Sequence, residues 1–207
     1  MIRKEILKEL RTYIGEFQIV EKREVEQPTR HFITVDQYRI LLQDGNILYR
    51  DKVVKQGSSG NAVVILPITK ENNVLLVIQP RVFTENGVGV ELPAGYIELG
   101  ESIEEASKRE LLEETGYLAK NYIPLGSYYQ DQGCMSAKNH SVLALDAEKV
   151  SVQQLDDSEY IRYLECTYEE ALELIDMEYI NDANSIITLE KSKKLIRRLT
   201  IKSQYKF

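Results

Sequence analysis

Residues 95–117 read GYIELGESIEEASKRELLEETGY and specify a loop, a helix and a second loop. Ser102 and Glu105 have the spacing of a capping box, which predicts a helix that begins at Ile103. Gly116 can adopt the left-handed conformation that closes a helix, so we expect roughly three and a half turns. This segment is therefore predicted to form a short helix with defined ends.

This helix carries an acidic face that stability alone would not select. Glu110, Glu113 and Glu114 stand at i, i+3 and i+4, so like charges neighbour one another. The last two also occupy the final turn, where the helix dipole favours cations. Although such a run ordinarily indicates a solvated face, a hard divalent cation reverses the sign of these terms, because Mg²⁺ and Mn²⁺ prefer carboxylate oxygens. The pattern therefore predicts a metal site, with Arg109 pairing to Glu101 to hold the carboxylates in place.

The sequence around this helix alternates strand and helix patterns and predicts a mixed α/β domain. A capping box at Thr167 and Glu170 opens a later helix. The predicted strands cover residues 62–68, 74–78, 90–92, 122–129, 141–145 and 160–164, and the predicted late helices cover residues 168–177 and 184–199.

The N-terminal quarter has a different pattern. Apolar residues at helical spacing over 2–14 predict an amphipathic helix that ends at Gly15. Short β-type runs follow over 17–55, and Asp44-Gly45 predicts a two-residue hairpin within them. We therefore expect a helix followed by a small antiparallel β unit.

A segment rich in glycine and serine, residues 56–60, separates this unit from the rest of the chain. It predicts a boundary between residues 1–57 and residues 58–207, the main domain.

Composition limits the classes of partner. The 26 basic and 33 acidic residues among 207 give a net charge of −7, which repels nucleic acid. No apolar run approaches the length of a membrane helix, and the N-terminus lacks a signal-peptide pattern, so we expect a cytoplasmic protein without membrane partners. Cys134 and Cys166 have no metal-ligand spacing, which argues against zinc and against a disulfide framework.

Residues 95–117 match the Nudix box in full: Gly, five residues, Glu, seven residues, Arg-Glu, an aliphatic residue, any residue, Glu-Glu, any residue, Gly and a hydrophobic residue. The sequence resembles a Nudix hydrolase from about residue 61 to residue 199. The resemblance implies an α/β/α sandwich with a mixed sheet, here preceded by the N-terminal helix and β unit. It also implies Mg²⁺-dependent hydrolysis, with Mn²⁺ as an alternative, of a nucleoside diphosphate linked to another group.

The resemblance assigns roles to individual residues of the acidic helix and its flanking loop. Glu110 and Glu114 would be direct metal ligands, and Glu113 a further ligand or a water-mediated partner. The carbonyl of Ala94 would supply another oxygen. In the catalytic set, Glu110 and Glu113 would act together with Arg109 and Glu101.

The flanking residues resemble the ADP-ribose pyrophosphatase-like, nucleoside-diphosphate-sugar group. The resemblance rests on Gln79-Pro80-Arg81, on Glu91-Leu92-Pro93-Ala94-Gly95 and on Ile180-x-Asp182-Ala183. It implies release of a nucleoside monophosphate and a sugar phosphate. It also implies a homodimer by analogy, with residues 1–57 as a dimerisation or substrate-contact element. Arg81, Glu91 and Arg50 are the expected substrate contacts. Alternatives are hydrolysis of oxidised nucleoside triphosphates or another dinucleotide, and a non-catalytic module that senses a nucleotide sugar.

One segment departs from that group. Its members usually carry Pro-Gly, three residues and Glu in a loop after the box, whereas residues 130–138 here contain Gln132 in place of the proline and no glutamate. The catalytic base is therefore open among Glu113, which we favour, Asp131 and an acid within residues 156–159.

Overall fold

A computed structural model describes residues 2–14, 33–55 and 60–201. Helices and strands alternate through these ranges, as expected for a mixed α/β chain. In chain order the elements are α1 (Lys4–Tyr13), β1 (Ile33–Leu41), β2 (Ile47–Lys55), β3 (Ala62–Thr69), β4 (Val74–Pro80), β5 (Val88–Glu91), β6 (Ala94–Tyr96), α2 (Ile103–Thr115), β7 (Tyr117–Leu118), β8 (Asn121–Tyr129), β9 (Lys138–Lys149), β10 (Arg162–Cys166), α3 (Tyr168–Asp176) and α4 (Ala183–Ile201).

The central sheet is mixed. Its main path runs β10-β4-β3-β9-β7, with β5 added to β4, β6 to β3 and β8 to β9. Strands β3 and β9 are parallel, while the other pairs of this sheet are antiparallel. Because β6 pairs with the start of β3, the loop that precedes α2 lies against the middle of the sheet.

Helices cover both faces of this sheet, and alternation along β3 shows how. Val63 and Ile65 point to one face and pack in a cluster with Leu111 of α2. Val64 points to the other face and packs in a cluster that includes Leu189 of α4. Successive strand residues point to opposite faces, so a continuous apolar run is expected for a strand buried on both sides. The architecture is the expected α/β/α sandwich.

The N-terminal elements differ in their packing. Helix α1 buries Ile6 and Leu10 in the same apolar cluster as α3 and α4. Strands β1 and β2 form the expected hairpin, but its loop has three residues, 43–45, instead of the predicted two. Leu42 N donates to Asn46 O at 2.9 Å, and Gly45, with a φ of 85°, donates its N–H to Leu42 O at 3.0 Å. Most of the hairpin is exposed, and Val53 N donates to Cys134 O at 2.8 Å. The predicted helix end at Gly15, the β-type residues before 33 and the linker residues 56–59 lie outside the described residues.

Strand boundaries are where sequence and structure differ most. Strand β9 covers twelve residues where a central run of five was expected, because β3, β8 and β7 all pair with it. Strand β10 begins at Arg162, two residues later than expected. Strands β6 and β7, of three and two residues, were not predicted, since backbone pairing rather than side-chain alternation defines them.

None of the helices in the described part of the chain combines the length and the apolarity needed to cross a membrane.

Candidate active site

Helix α2 has the ends that its sequence predicts. Ser102 Oγ accepts from Glu105 N at 3.2 Å, and Glu105 Oε2 accepts from Ser102 N at 2.8 Å. Gly116 has a φ of 77° and donates its N–H to Leu112 O at 2.8 Å. Both ends are thus defined locally, which orients the acidic residues of the last two turns.

Glu110 and Glu114 lie between α2 and the sheet. They are only 9% and 3% exposed. Glu114 Oε2 accepts from Ala94 N at 3.0 Å, which ties the helix to β6. A Cβ at Gly95 would overlap the Glu110 carboxylate, so any larger residue there would displace that side chain from its position. Ala94 and the two glutamates therefore lie close together in the structure.

The electrostatics of this pair are unfavourable without an added cation. Burial raises the pKa of Glu110 to about 7, although the Arg109 guanidinium acts in the opposite direction. Burial, followed by the negative charge of Glu110, raises the pKa of Glu114 well above its usual value. Buried carboxylates are ordinarily paired or metal-bound. Hard oxygen donors that lack compensation suit Mg²⁺ or Mn²⁺.

Arg109 connects the acidic residues to one another. Its Nε and Nη2 donate to the two carboxylate oxygens of Glu101, both at 2.9 Å, which is the expected pair. Nη2 also donates to Tyr96 O at 2.9 Å. Nη1 donates to Glu110 at 2.7 Å and to Glu113 at 3.1 Å. Arg109 thus orients carboxylates from the loop and the helix.

A closed metal centre is not preformed by these side chains. Within residues 2–14, 33–55 and 60–201, no three His, Cys, Asp or Glu side chains form a group that could hold a metal ion. Instead, Arg109 Nη1 donates to both Glu110 and Glu113 and so uses part of their capacity to accept bonds. The acidic face nevertheless supplies the oxygen donors that a divalent cation uses.

A cavity of about 490 Å³ opens beside the buried glutamates. Its wall combines β6 next to the acidic helix, two basic residues, and polar residues from β9 and the start of α4. The lining residues are Lys55, Gly60, Ala62, Val64, Arg81, Glu91, Ala94, Gly95, Tyr96, Gln130, Met135, Ala137, Asn139, Asp182 and Asn184.

Arg81 and Glu91 form a bidentate ion pair in this wall. Arg81 Nε and Nη2 lie 2.6 and 2.7 Å from Glu91 Oε1 and Oε2. Gln79 Nε2 donates to the same carboxylate at 3.2 Å. A Cβ at Gly89 would overlap both partners, which explains the small residue there. The pairing holds the Arg81 guanidinium at the cavity.

Arg50 lies elsewhere. Its side chain is on the exposed hairpin and lines a separate groove with residues 132–136. Lys55, five residues further along the same strand, lines the cavity instead. No motif marks Lys55 in the sequence, and only the position of the end of β2 could have identified it.

The acids considered as catalytic base occupy different surroundings. Asp131 accepts from Gly133 N and from Cys134 Sγ, both at 3.0 Å, and so closes a turn of its own loop. Residues 151–161 lie against the end of α2, where Gln154 N donates to Glu113 O at 2.8 Å. The negative charge of Glu159 contributes to the raised pKa of both buried glutamates of α2.

Comparison with known proteins identifies the family of this arrangement. The family model described as "NUDIX domain" matches residues 59–187, well over half of the chain. The chain belongs to the Nudix family. As a Nudix protein with the complete acidic box, it is a hydrolase of phosphoric anhydride bonds.

Individual Nudix relatives act on nucleotide sugars. An ADP-ribose pyrophosphatase of Bacillus subtilis is 35% identical over 133 residues, covering 62% of this chain and 70% of the relative. A GDP-mannose pyrophosphatase of Escherichia coli is 30% identical over 168 residues, covering 78% of this chain and 85% of the relative. A crystal structure of an ADP compounds hydrolase has a TM-score of 0.71 at 22% identity, covering 87% of this chain and 94% of that one, which shows the shared fold.

Proposed function

We propose that this Nudix hydrolase cleaves the diphosphate of an ADP-ribose-like or other nucleoside-diphosphate sugar, and that it requires Mg²⁺ or, alternatively, Mn²⁺. One observation carries the proposal: the same cavity contacts Arg81 on one side and Ala94-Gly95, next to the buried acidic pair, on the other. The basic side attracts a diphosphate, and the acidic side suits a divalent cation. Nucleotide-sugar pyrophosphatases among the relatives support this substrate class.

In this proposal, Glu110, Glu114 and the Ala94 carbonyl hold the metal, and Glu113 holds it directly or through water. Bound there, the metal offsets phosphate charge and lowers the pKa of water. Arg109 orients Glu110 and Glu113 and itself remains fixed by Glu101.

Arg81 binds the diphosphate while Glu91 holds its guanidinium, and Lys55 adds a second positive charge to the same wall. Arg50 remains a proposed substrate contact from the hairpin. The water oxygen bonds to phosphorus as the bridging P–O bond breaks, and the bridging oxygen leaves on the other phosphate. The products are a nucleoside monophosphate and a sugar phosphate.

We assign the proton of the attacking water to Glu113, which is partly exposed at the end of α2. Glu159 is the second candidate, because its charge acts on both buried glutamates of α2. E113Q and E159Q each remove one candidate base. We expect the variant that lacks the true base to lose the acidic limb of the pH dependence of kcat, while the other variant keeps that limb. If both variants keep the acidic limb, neither glutamate is the base.

The substrate panel that tests the proposed reaction contains ADP-ribose, ADP-glucose, GDP-mannose, NADH and nucleoside triphosphates. Each is incubated with Mg²⁺, with Mn²⁺ and with neither, and products are identified by ion-exchange chromatography. We expect monophosphate and sugar phosphate from one sugar nucleotide, and loss of turnover in E114Q but not in E104Q, whose residue is exposed on the same helix. Pyrophosphate released from a triphosphate alone would contradict the proposed substrate class.

The exposed hairpin supports the proposed homodimer and the proposed contact role of residues 1–57. Val35, Leu41 and Tyr49 are 61%, 71% and 57% exposed, an unusual apolar surface for an isolated hairpin. We expect light scattering to give twice the chain mass of 23.9 kDa and V35D/Y49D to give a monomer. A wild-type monomer would exclude the dimer. Free thiols at Cys134 and Cys166 support a cytoplasmic location.

A further inference from the structure

One wall of the cavity carries polar side chains that belong neither to the proposed metal site nor to the proposed diphosphate contact. Strand β9 contributes Asn139, and the start of α4 contributes Asp182 and Asn184. This wall, which we call the amide–acid wall, lines the same cavity as Arg81.

Asp182 is only half satisfied. Its Oδ2 accepts from Ser185 N at 2.9 Å, the bond of a helix N-cap, and this accounts for an acid at the start of α4. Its Oδ1 is buried and has no hydrogen-bond partner among the described residues. Buried carboxylate oxygens are nearly always hydrogen-bonded, since leaving one unpaired loses its hydration without replacement. Capping alone therefore does not explain the second oxygen.

Three donors around this wall, from Asn139, Tyr128 and Arg81, have acceptors other than Asp182. Asn139 Nδ2 donates to Asn184 Oδ1 at 2.7 Å, and Tyr128 Oη donates to the same oxygen at 3.0 Å. Arg81 Nε and Nη2 both donate to Glu91. Asp182 is nevertheless close enough to Arg81 that its negative charge raises the pKa of that guanidinium. The open acceptor thus adjoins the proposed diphosphate contact and still needs a donor.

We propose that Asp182 Oδ1 accepts a hydrogen bond from a sugar hydroxyl of the bound substrate and so determines specificity for the sugar. The inference rests on the proposed function. In a nucleoside-diphosphate sugar, the groups adjacent to the diphosphate are sugars, whereas the nucleobase lies one ribose further away. An acceptor beside the diphosphate contact therefore meets hydroxyl donors first. Because Oδ1 is closed to water in the free protein, the proposal includes a movement of the wall that exposes this oxygen to the hydroxyl.

Asparagine is as good an N-cap as aspartate, so D182N preserves the start of α4 and replaces the open acceptor with a donor. Calorimetric titrations of the full-length wild type and D182N use AMP, 2′-deoxy-AMP, 3′-deoxy-AMP, ribose 5-phosphate and 2-deoxyribose 5-phosphate. We expect removal of one hydroxyl to weaken wild-type binding by about tenfold or more. The same removal should change D182N binding by less than twofold.

Three controls make the result decisive. D182S keeps a capping hydroxyl and lacks a second oxygen, so it should behave as D182N does. D176N removes an exposed charge at the end of α3. It should retain the wild-type ratio between the affinities for each ligand and for its deoxy analogue. If removal of a sugar hydroxyl weakens binding equally in the wild type and in D182N, the inference is overturned.

Discrimination of AMP from IMP that disappears in D182N would also overturn the inference, because the partner would then be the base amine. Failure of the proposed function would be recognised from a different result. In that case the wild type would hydrolyse no nucleotide sugar in the substrate panel, whatever the binding ratios.

Discussion

Helices α2 and α3 begin with the same capping motif, but the pKa values of their buried acidic side chains are shifted in opposite directions. Each starts with a complete capping box, at Ser102 and at Thr167. In α3, Glu170 accepts from Arg3 Nε at 2.8 Å, from Arg3 N at 2.9 Å and from Thr167 N at 2.8 Å. In α2, Glu114 accepts a bond from Ala94 N at 3.0 Å.

The pKa values follow from this difference. Burial raises the pKa of Glu170, but the bonds from Arg3 and Thr167 outweigh it and bring the pKa to about 2. Burial dominates at Glu110, whose pKa rises to about 7, and at Glu114. A fully bonded acid stabilises the fold, whereas an under-compensated acid is retained for a ligand. The same residue type therefore has a structural role in one helix and a functional role in the other.

The largest effect is expected from neutralising the under-compensated acid of α2. E114Q should lower kcat/KM by at least about hundredfold, because the proposed metal site loses one of its ligands. Without metal, its melting temperature should equal or exceed that of the wild type, since a poorly compensated buried carboxyl is removed. Activity assays and thermal denaturation measure the two effects. A destabilised E114Q would show that Glu114 has the structural role that we assign to Glu170.

The converse substitution is E170A in α3. It removes the bonds from Arg3 and from Thr167 N, so we expect a loss of about 2–3 kcal/mol in the free energy of unfolding. Urea denaturation measures this loss, and kcat at a temperature where the variant is folded should stay within about twofold of wild type. A large fall in kcat with unchanged stability would remove the contrast between the helices.

The two helices should also give opposite dependences of stability on pH. Glu170, with a folded pKa of about 2 below the usual 4.5, contributes stability that is lost as pH falls from about 4.5 towards 2. Glu110, with a folded pKa of about 7, costs stability as pH rises from about 4.5 to 7 in metal-free protein. Melting temperatures from pH 3 to 8 should therefore fall on both sides of about pH 4.5.

Glutamine variants and added Mg²⁺ distinguish the acidic limb of this pH dependence from the upper limb. E170Q should flatten only the acidic limb, and E110Q only the upper limb. Mg²⁺ should raise the melting temperature on the upper limb, because it favours the ionised carboxylates. An upper limb that is insensitive to Mg²⁺ would argue against a metal site on α2.

The smallest effect is expected on the exposed face of α2. Lys108 and Glu104 form an exposed i, i+4 ion pair. K108A should change the free energy of unfolding by less than about 0.5 kcal/mol and leave kcat unchanged. A larger change would show that the difference between the helices does not depend on burial. The same denaturation and activity assays provide the measurement.

Features set by short sequence spacing were predictable. The capping boxes, the glycine that ends α2, the turn at Asp44-Gly45 and the Arg109–Glu101 pair each involve residues at most eight apart. Local hydrogen bonding defines such features wherever the element lies in the fold. The acidic face of α2 could therefore be recognised as a candidate site before its surroundings were known.

Features that join distant segments could not be predicted in this way. Glu170 was visible as part of a capping box, but its bonds to Arg3 cross most of the chain. Lys55 reaches the cavity from the end of an exposed hairpin, and Arg50 on the same strand does not line it. Sequence patterns carry no information about which strand ends meet at one cavity.

The α/β class, the ends of α2 and the identity of the acids on that helix follow from the sequence. The packing of the whole domain sets which of those acids are buried, how far their pKa values move, and that Asp182 has an unpaired oxygen beside the cavity. Helix ends and spacing depend on local backbone bonds, whereas desolvation depends on every element packed around a group.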